Sequence, residues 1–106
     1  MPTVAVALRN MMRRGVVRPA RPADGAPGGA VTVKGTVNPA GTPVQAAWGR
    51  GYHTPPVSGW STPAKSDGQG RWTAATSYPA AGTWYLWARR ADHTAVCAPA
   101  GPVRIV

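Results

Sequence analysis

The side chains able to transfer protons, attack a substrate or hold a metal ion are few and widely separated in this chain. Its only acidic residues are Asp24, Asp67 and Asp92, and no two of them have a spacing suited to general acid–base catalysis. His53 and His93 have no cysteine or carboxylate at the spacing of metal ligands. Asp92 and His93 are adjacent, but neighbouring residues of a strand point to opposite faces. We expect no enzymatic activity, no metal and no cofactor.

The single cysteine, Cys97, excludes a disulfide within the chain and has no CxxC partner. We expect a buried, unreactive thiol and a fold that needs no oxidising compartment. The sequence contains no GxSxG motif, no phosphate-binding loop and no dinucleotide-binding fingerprint. Asp67 and Asp92 lie in predicted turns, where an aspartate usually accepts a hydrogen bond from the backbone two residues further on.

Positive charge is the strongest chemical signal in the sequence. Twelve Lys and Arg residues against three acidic ones give a net charge of +9. Most of the cations are arginine, which is well suited to pairing with carboxylates or phosphates. Five of them lie within residues 1–30, beside one acid: Arg9, Arg13, Arg14, Arg18 and Arg21. We expect these five to bind an anionic partner surface.

Residues 1–30 are predicted to form a basic N-terminal arm and a linker. The stretch 19–30, PARPADGAPGGA, is too rich in Pro and Gly for a helix or a regular ladder, so we expect an extended linker. The preceding residues fit either a short helix over 3–14 or a strand over 4–8, and a frayed terminus is the third interpretation. We favour an arm that takes its structure from its partner. Charges follow the apolar stretch at the start of the chain, so we expect no signal peptide, and no run is long enough to span a membrane.

From residue 31 onwards short alternating segments are separated by Gly/Pro turns. This pattern predicts one domain over 31–106, an all-β, immunoglobulin-like antiparallel β-sandwich with the basic arm ahead of it. The predicted strands cover 31–37, 43–49, 57–62, 71–77, 83–90 and 103–106, with a turn at 99–102.

The strand over 83–90 has two aromatic faces. If Trp84, Leu86 and Ala88 face the core, the outward side chains are Tyr85, Trp87 and Arg89. Such a row on an open sheet has the composition of an interface hot spot. The alternative is that the loop over 50–62, which contains Tyr52 and Trp60, or the arm covers this face.

The segment SDGQGRWTAATSYPAAGTWYLWARRADHTAVCAPAGPVRIV resembles the C-terminal half of bacterial and phage immunoglobulin-like, or fibronectin-type-III-like, domains. The resemblance rests on the Asp67-Gly68 turn, the inward Trp72 and the Gly82-Thr83-Trp84 strand start. VTVKGTVNPAGTPVQAAW is similar to the first two strands of such domains. One departure is Trp84, which stands where these domains usually carry the tyrosine of the corner motif. An indole N–H donates but does not accept, so the corner hydrogen bond is expected to differ or to be absent.

Three hypotheses about function follow. The resemblance and the basic arm favour a virion structural protein. It would be above all a phage capsid decoration or cement protein that docks on the major capsid protein and makes homo-oligomer contacts, or else a tail or neck accessory protein. The alternative is a carbohydrate- or cell-surface-binding module that uses Tyr85 and Trp87 as a stacking platform, with a glycan as partner. Nucleic-acid binding is disfavoured, because the basic residues are spread over both parts and no recognition helix is present. The expected location is the virion, and no membrane partner is expected.

Overall fold

The computed structural model of the protein describes residues 16–106, which fold into strands and turns. Among these residues no helix is present. The strands in chain order are β1 (Val17–Pro19), β2 (Ala30–Val37), β3 (Pro43–Gly49), β4 (Ala64–Lys65), β5 (Arg71–Ser77), β6 (Gly82–Arg90) and β7 (Cys97–Ile105).

The strands form two sheets packed face to face. One sheet has the order β1-β2-β5, the other has the order β4-β3-β6-β7, and neighbouring strands within each sheet are antiparallel. The first, second and fifth strands therefore lie opposite the third, fourth, sixth and seventh, which makes the domain a two-layer β-sandwich. The prediction of an all-β antiparallel sandwich is confirmed.

The core lies between the inner faces of the two sheets. Val33 and Val37 of β2 and Trp72 of β5 pack against Val44 of β3 and Leu86 of β6. These side chains alternate with exposed or half-buried residues along β2 and β5, as the pleat of a strand requires. Burial of these large apolar groups is the main favourable term in folding, at roughly 25 cal/mol per Å² of apolar surface.

The segment predicted to be a linker belongs to the sandwich, which corrects the predicted domain boundary at residue 30. Val17 of β1 pairs with Val37 of β2, and the Ala20 N–H donates to Lys34 O at 2.8 Å. Further on, Gly25 pairs with the last strand: its N–H donates to Arg104 O at 3.1 Å, and its carbonyl accepts from Val106 N–H at 2.9 Å. Proline is compatible with these positions because it occurs in edge strands, where a missing N–H leaves no gap in a ladder.

Two further strand predictions are wrong. Residues 57–62 form part of an irregular segment between β3 and β4, and Val57 there is 99% exposed. The predicted turn over 99–102 lies within β7, which continues across a register shift opposite Tyr85. An irregular step of this kind lets an edge strand contain Gly and Pro without ending.

The Asp67 turn joins β4 to β5 as predicted. The Asp67 carboxylate accepts hydrogen bonds through Oδ1 from the backbone N–H groups of Gln69, at 2.8 Å, and of Arg71, at 2.9 Å. Its Oδ2 accepts from Arg71 Nε at 3.1 Å. These bonds stabilise the charged form, so the backbone N–H of Arg71, then that of Gln69, hold the pKa of this exposed carboxyl below its usual value.

The turn predicts a pH-dependent difference between the wild-type chain and the Asp67→Asn variant. A lowered folded-state pKa adds stability above the unfolded-state pKa of about 3.9 and loses it as the pH falls through the folded-state value. We expect the wild type to have the higher free energy of unfolding near neutral pH, and the difference from Asp67→Asn to disappear in acid. Urea unfolding followed by circular dichroism over an acid pH series measures this difference. A difference that stays constant with pH contradicts the prediction.

Trp84 makes the corner hydrogen bond that the sequence comparison left open. Its indole N–H donates to Ala80 O, four residues upstream, at 2.8 Å. A tyrosine corner likewise links a ring donor to the backbone a few residues earlier, so only the donor function is needed here. The guanidinium carbon of Arg50 lies 3.8 Å from the centroid of the Trp84 ring and covers it.

Candidate functional site

The predicted contact residues do not form one site. Arg9, Arg13 and Arg14 lie outside the described residues. Arg18 and Arg21 lie on β1 and directly after it, whereas the β6 residues lie in the other sheet. The structure therefore does not bring the described part of the arm together with the predicted row Tyr85, Trp87 and Arg89.

Trp87 is covered, which corrects the expectation of an open aromatic row. It is only 4% exposed, and its indole N–H donates to Gly51 O at 3.1 Å. A Cβ on Gly49 would lie 2.8 Å from Trp87 Cδ1 and 3.1 Å from Pro56 Cγ, so the segment after β3 lies directly on the ring. This burial satisfies both parts of an indole, its apolar surface and its polar N–H.

The same segment covers the other two β6 side chains in part. The guanidinium carbon of Arg89 lies 4.2 Å from the centroid of the Trp60 ring, and Arg89 Nε donates to Gln45 Oε1 at 2.9 Å. Tyr85 is half-buried, with its ring centroid 5.7 Å from that of Tyr52. The segment after β3 is therefore held on the outer face of the four-stranded sheet by three side chains of β6, Tyr85, Trp87 and Arg89. The alternative in which the 50–62 loop covers this face is the correct one.

The segment is also bonded to the backbone of β3. Ser61 N–H donates to Ala46 O at 2.9 Å, and Ala46 N–H donates to Ser61 Oγ at the same distance. Gln45 Nε2 adds a bond to Ser61 O at 3.0 Å. The segment thus lies beside β4 along the same edge of β3, because it bonds to backbone groups of β3 with which β4 does not pair.

The aromatic residues still accessible on this side do not form a flat platform. Tyr52 is 51% exposed, and its ring is inclined by 72° to Tyr85 and by 84° to His53. Stacking on a sugar needs a ring face that is open, and Trp87, the larger of the two predicted platform residues, is buried. Of the two residues predicted to form the glycan platform, Trp87 is therefore not accessible.

Arg21 is engaged within the domain. Its Nε donates to Pro102 O at 2.7 Å, and its Nη2 lies 3.2 Å from Asp24 Oδ1. The same Asp24 oxygen accepts from the Arg104 N–H at 2.9 Å. Arg21 and Asp24 therefore fasten the segment after β1 to β7, while Arg18 is exposed on the outer face of β1.

All three acidic residues of the chain are used in such local bonds. Asp24 pairs with Arg21, Asp67 with Arg71, and Asp92 with Arg90 at 2.9 Å. The Arg90 guanidinium lowers the pKa of Asp92. Within residues 16–106 six cations have no carboxylate partner, and they leave the charge of the domain uncompensated: Arg18, Lys34, Arg50, Lys65, Arg89 and Arg104.

The outer face of the three-stranded sheet is a surface that the sequence reasoning missed. We call it the basic sheet face, and its side chains are small, polar or cationic and all exposed: Arg18, Thr32, Lys34, Thr36, Arg71, Thr73 and Ala75. The alternation of VTVKGTV already placed its threonines and lysine opposite the buried valines. The alternation could not predict whether another segment lies on this face. In the structure no described residue covers it.

Within residues 16–106 no group of three or more His, Cys, Asp or Glu side chains is placed to hold a metal ion. Cys97, predicted to be buried, is half-buried on β7 and pairs in register with Arg89. No helix among the described residues has the length and apolar character of a membrane span.

Comparison of the chain with protein-family models, with curated proteins and with solved structures finds no match.

Proposed function

We propose that this chain is a non-enzymatic structural protein of a virus particle, a capsid decoration or cement protein. The arm docks the protein, and the sandwich is the body that it attaches to the shell. The observation that carries the proposal is the charge distribution. Arg9, Arg13 and Arg14 precede a domain whose acidic residues are all bonded to its own arginines and backbone.

The partner on this proposal is an acidic surface of the major capsid protein. Arginine pairs with carboxylates in bidentate geometry, and these charge-assisted bonds are stronger than neutral ones. Within residues 16–106 each acidic side chain already pairs with an arginine of the domain, so on this proposal the partner supplies the carboxylates for the arm. A capsid presents the same acidic surface many times, and homo-oligomer contacts between neighbouring copies would then add to weak individual contacts.

The sandwich suits this passive role. Trp87 and Arg89 hold the long segment after β3 against the sheet, so the domain is closed on that side by its own residues. The strap formed by Arg21 and Asp24 joins the start of the domain to its last strand. The start of the domain is therefore bonded to a strand of each sheet, β2 and β7.

Removal of residues 1–15 tests the role of the arm and leaves β1 in place. The full chain and the shortened chain are mixed with undecorated capsids assembled from the major capsid protein of the same genome, and the particles are sedimented. We expect the full chain to sediment with the particles, and the shortened chain to lose at least about tenfold in affinity because its arginine pairs are gone. A variant with Arg9, Arg13 and Arg14 replaced by Gln keeps the arm's length and separates charge from bulk.

Equal binding by the full and shortened chains would contradict the role of the arm. No sedimentation of either form would contradict the proposed function itself. Thermal unfolding of the shortened chain, compared with the full chain, establishes that the sandwich is intact in both.

A further inference from the structure

The two outer faces of the sandwich differ in what lies on them. The outer face of the four-stranded sheet is occupied by the segment after β3, which buries Trp87 and stacks Trp60 on Arg89. The basic sheet face has no such cover among the described residues, and each of its side chains is exposed. A partner that contacts a sheet of this domain broadly has only this face available.

The cations of the basic sheet face lie in neighbouring rows. Strand register places Arg18, Thr36 and Arg71 side by side across the three strands, with Lys34 and Thr73 in the next row. Adjacent strands are about 4.8 Å apart, so Arg18 and Arg71 are separated by roughly 10 Å. Arg18 and Lys34 have no carboxylate partner within residues 16–106. Thr36 and Thr73 add hydroxyl groups beside the cations, and a hydroxyl can donate to a carboxylate.

The basic sheet face has shallow depressions between its side chains. Three shallow depressions of about 260 to 440 Å³ lie along β2, and its residues Thr32, Lys34 and Thr36 line them. These depressions are open to solvent and can accept the tips of partner side chains. A small molecule usually binds in a concave site that buries most of its surface.

The chemistry of the face favours carboxylates on a protein over the phosphates of a nucleic acid. No aromatic side chain projects from the outer face of β1, β2 or β5, so these strands carry no row of rings on which successive bases would stack. Asp67 stands at the rim of the face, 3.1 Å from Arg71, and partly neutralises that arginine. A threonine-rich face with two cations that lack a carboxylate partner within residues 16–106, Arg18 and Lys34, instead matches a surface that presents discrete Asp or Glu side chains.

We propose that the basic sheet face is a second docking surface of this protein, which lies on an acidic protein surface with Arg18 and Lys34 paired to partner carboxylates. The inference rests on the proposed function and extends it, since β1 follows the arm directly in the chain. The arm therefore leads, in chain order, to the first strand of this face, and on this proposal the sandwich binds with its three-stranded sheet towards the partner. The covered four-stranded sheet faces away.

Amide chemical shifts of the ¹⁵N-labelled full chain, titrated with an oligoglutamate peptide, test this assignment residue by residue. We expect shifts at Thr32, Lys34, Thr36 and Thr73, in addition to any in the arm. The affinity read from these amides is expected to fall at least about fivefold in Lys34→Glu, because a like charge replaces the pairing cation.

Lys65→Glu is the matched control. Lys65 is also an exposed strand lysine without a carboxylate partner within residues 16–106, but it lies on β4 in the other sheet. Both substitutions lower the net charge equally, from +9 to +7. We expect the control to change the affinity by less than about twofold, since Lys65 acts only through long-range charge that salt screens. Equal thermal midpoints of the two variants establish that both are folded.

Three results would overturn the inference. One is the absence of shifts on the basic sheet face, and another is an equal loss of affinity in the two variants, which would mean attraction by net charge alone. The third is tighter binding of a double-stranded DNA of the same charge at this face, which would make it a nucleic-acid surface. The capsid experiment is independent of this titration. Loss of capsid binding on deletion of the arm supports the role of the arm even if the basic sheet face binds no carboxylates. Shifts on the basic sheet face support its role in binding carboxylates even if the protein does not bind capsids.

Discussion

Replacing Trp72 by alanine is expected to lower the free energy of unfolding by about 3 to 5 kcal/mol, the usual cost of deleting a buried aromatic side chain. Trp72 is 2% exposed and is among the largest fully buried side chains of the domain. Its indole N–H donates to Thr36 O at 3.1 Å, so the substitution also removes a bond to the neighbouring strand. Small domains have a total stability of about 5 to 15 kcal/mol, and a loss of this size takes much of it.

Urea unfolding monitored by far-ultraviolet circular dichroism measures the effect. Trp72→Phe is the intermediate variant, because it keeps a buried ring but loses the hydrogen bond and part of the side-chain volume. Its unfolding can still be measured if the alanine variant does not fold. Trp60→Ala is the control: this indole is half-buried in the segment after β3 and donates to Pro56 O at 3.2 Å. We expect it to cost about 1 kcal/mol. Equal losses at Trp60 and Trp72 would contradict the assignment of the core.

The Gly35→Ala substitution is expected to destabilise the fold by about 1 to 3 kcal/mol or more through overpacking. A Cβ on Gly35 would overlap the carbonyl oxygen of Arg18 on β1 and would lie 2.6 Å from Trp72 Cζ2 and 2.9 Å from Pro19 Cα. Two of these neighbours are backbone atoms, and the third is a ring fixed in the core, so none yields easily. The glycine is needed because β1 and the indole both approach the backbone of β2 at this point.

Gly68→Ala is the matched control for this prediction. A Cβ there meets nothing within 4 Å. We expect its unfolding free energy to stay within about 0.5 kcal/mol of the wild type, as for an ordinary surface substitution. The same urea unfolding experiment compares the two variants. If Gly35→Ala unfolded at the same urea concentration as Gly68→Ala, that result would contradict the close packing of β1, β2 and Trp72.

Local chemistry made much of the sandwich predictable from the sequence. Alternation with a period of two identified the buried face of β2 and of β5, because successive side chains of a strand point to opposite sides. The Asp67 turn was predictable for a similar reason, since its carboxylate bonds to backbone groups only two and four residues away. Such interactions depend on neighbours in the chain, which the sequence lists in order.

The candidate site was less predictable, because periodicity divides a strand into two faces without telling which of them another segment covers. The outward row of β6 had the composition of an interface, and Trp87 is instead buried under residues that precede it by more than thirty positions, including Gly51 and Pro56. The face of β2 had an ordinary, threonine-rich composition and is the one left open. Exposure was decided by the path of one long loop.

By itself the sequence determined the class of fold, the inward faces of the main strands, the Asp67 turn and the excess of positive charge. Only the tertiary structure decided that residues 17–29 belong to the domain, that Arg21 is bonded to Pro102, and that Trp87 is covered. The physical reason is the range of the interactions. Strand period and turn chemistry act over a few residues, whereas these contacts join segments far apart in the chain and form only when both sheets have assembled.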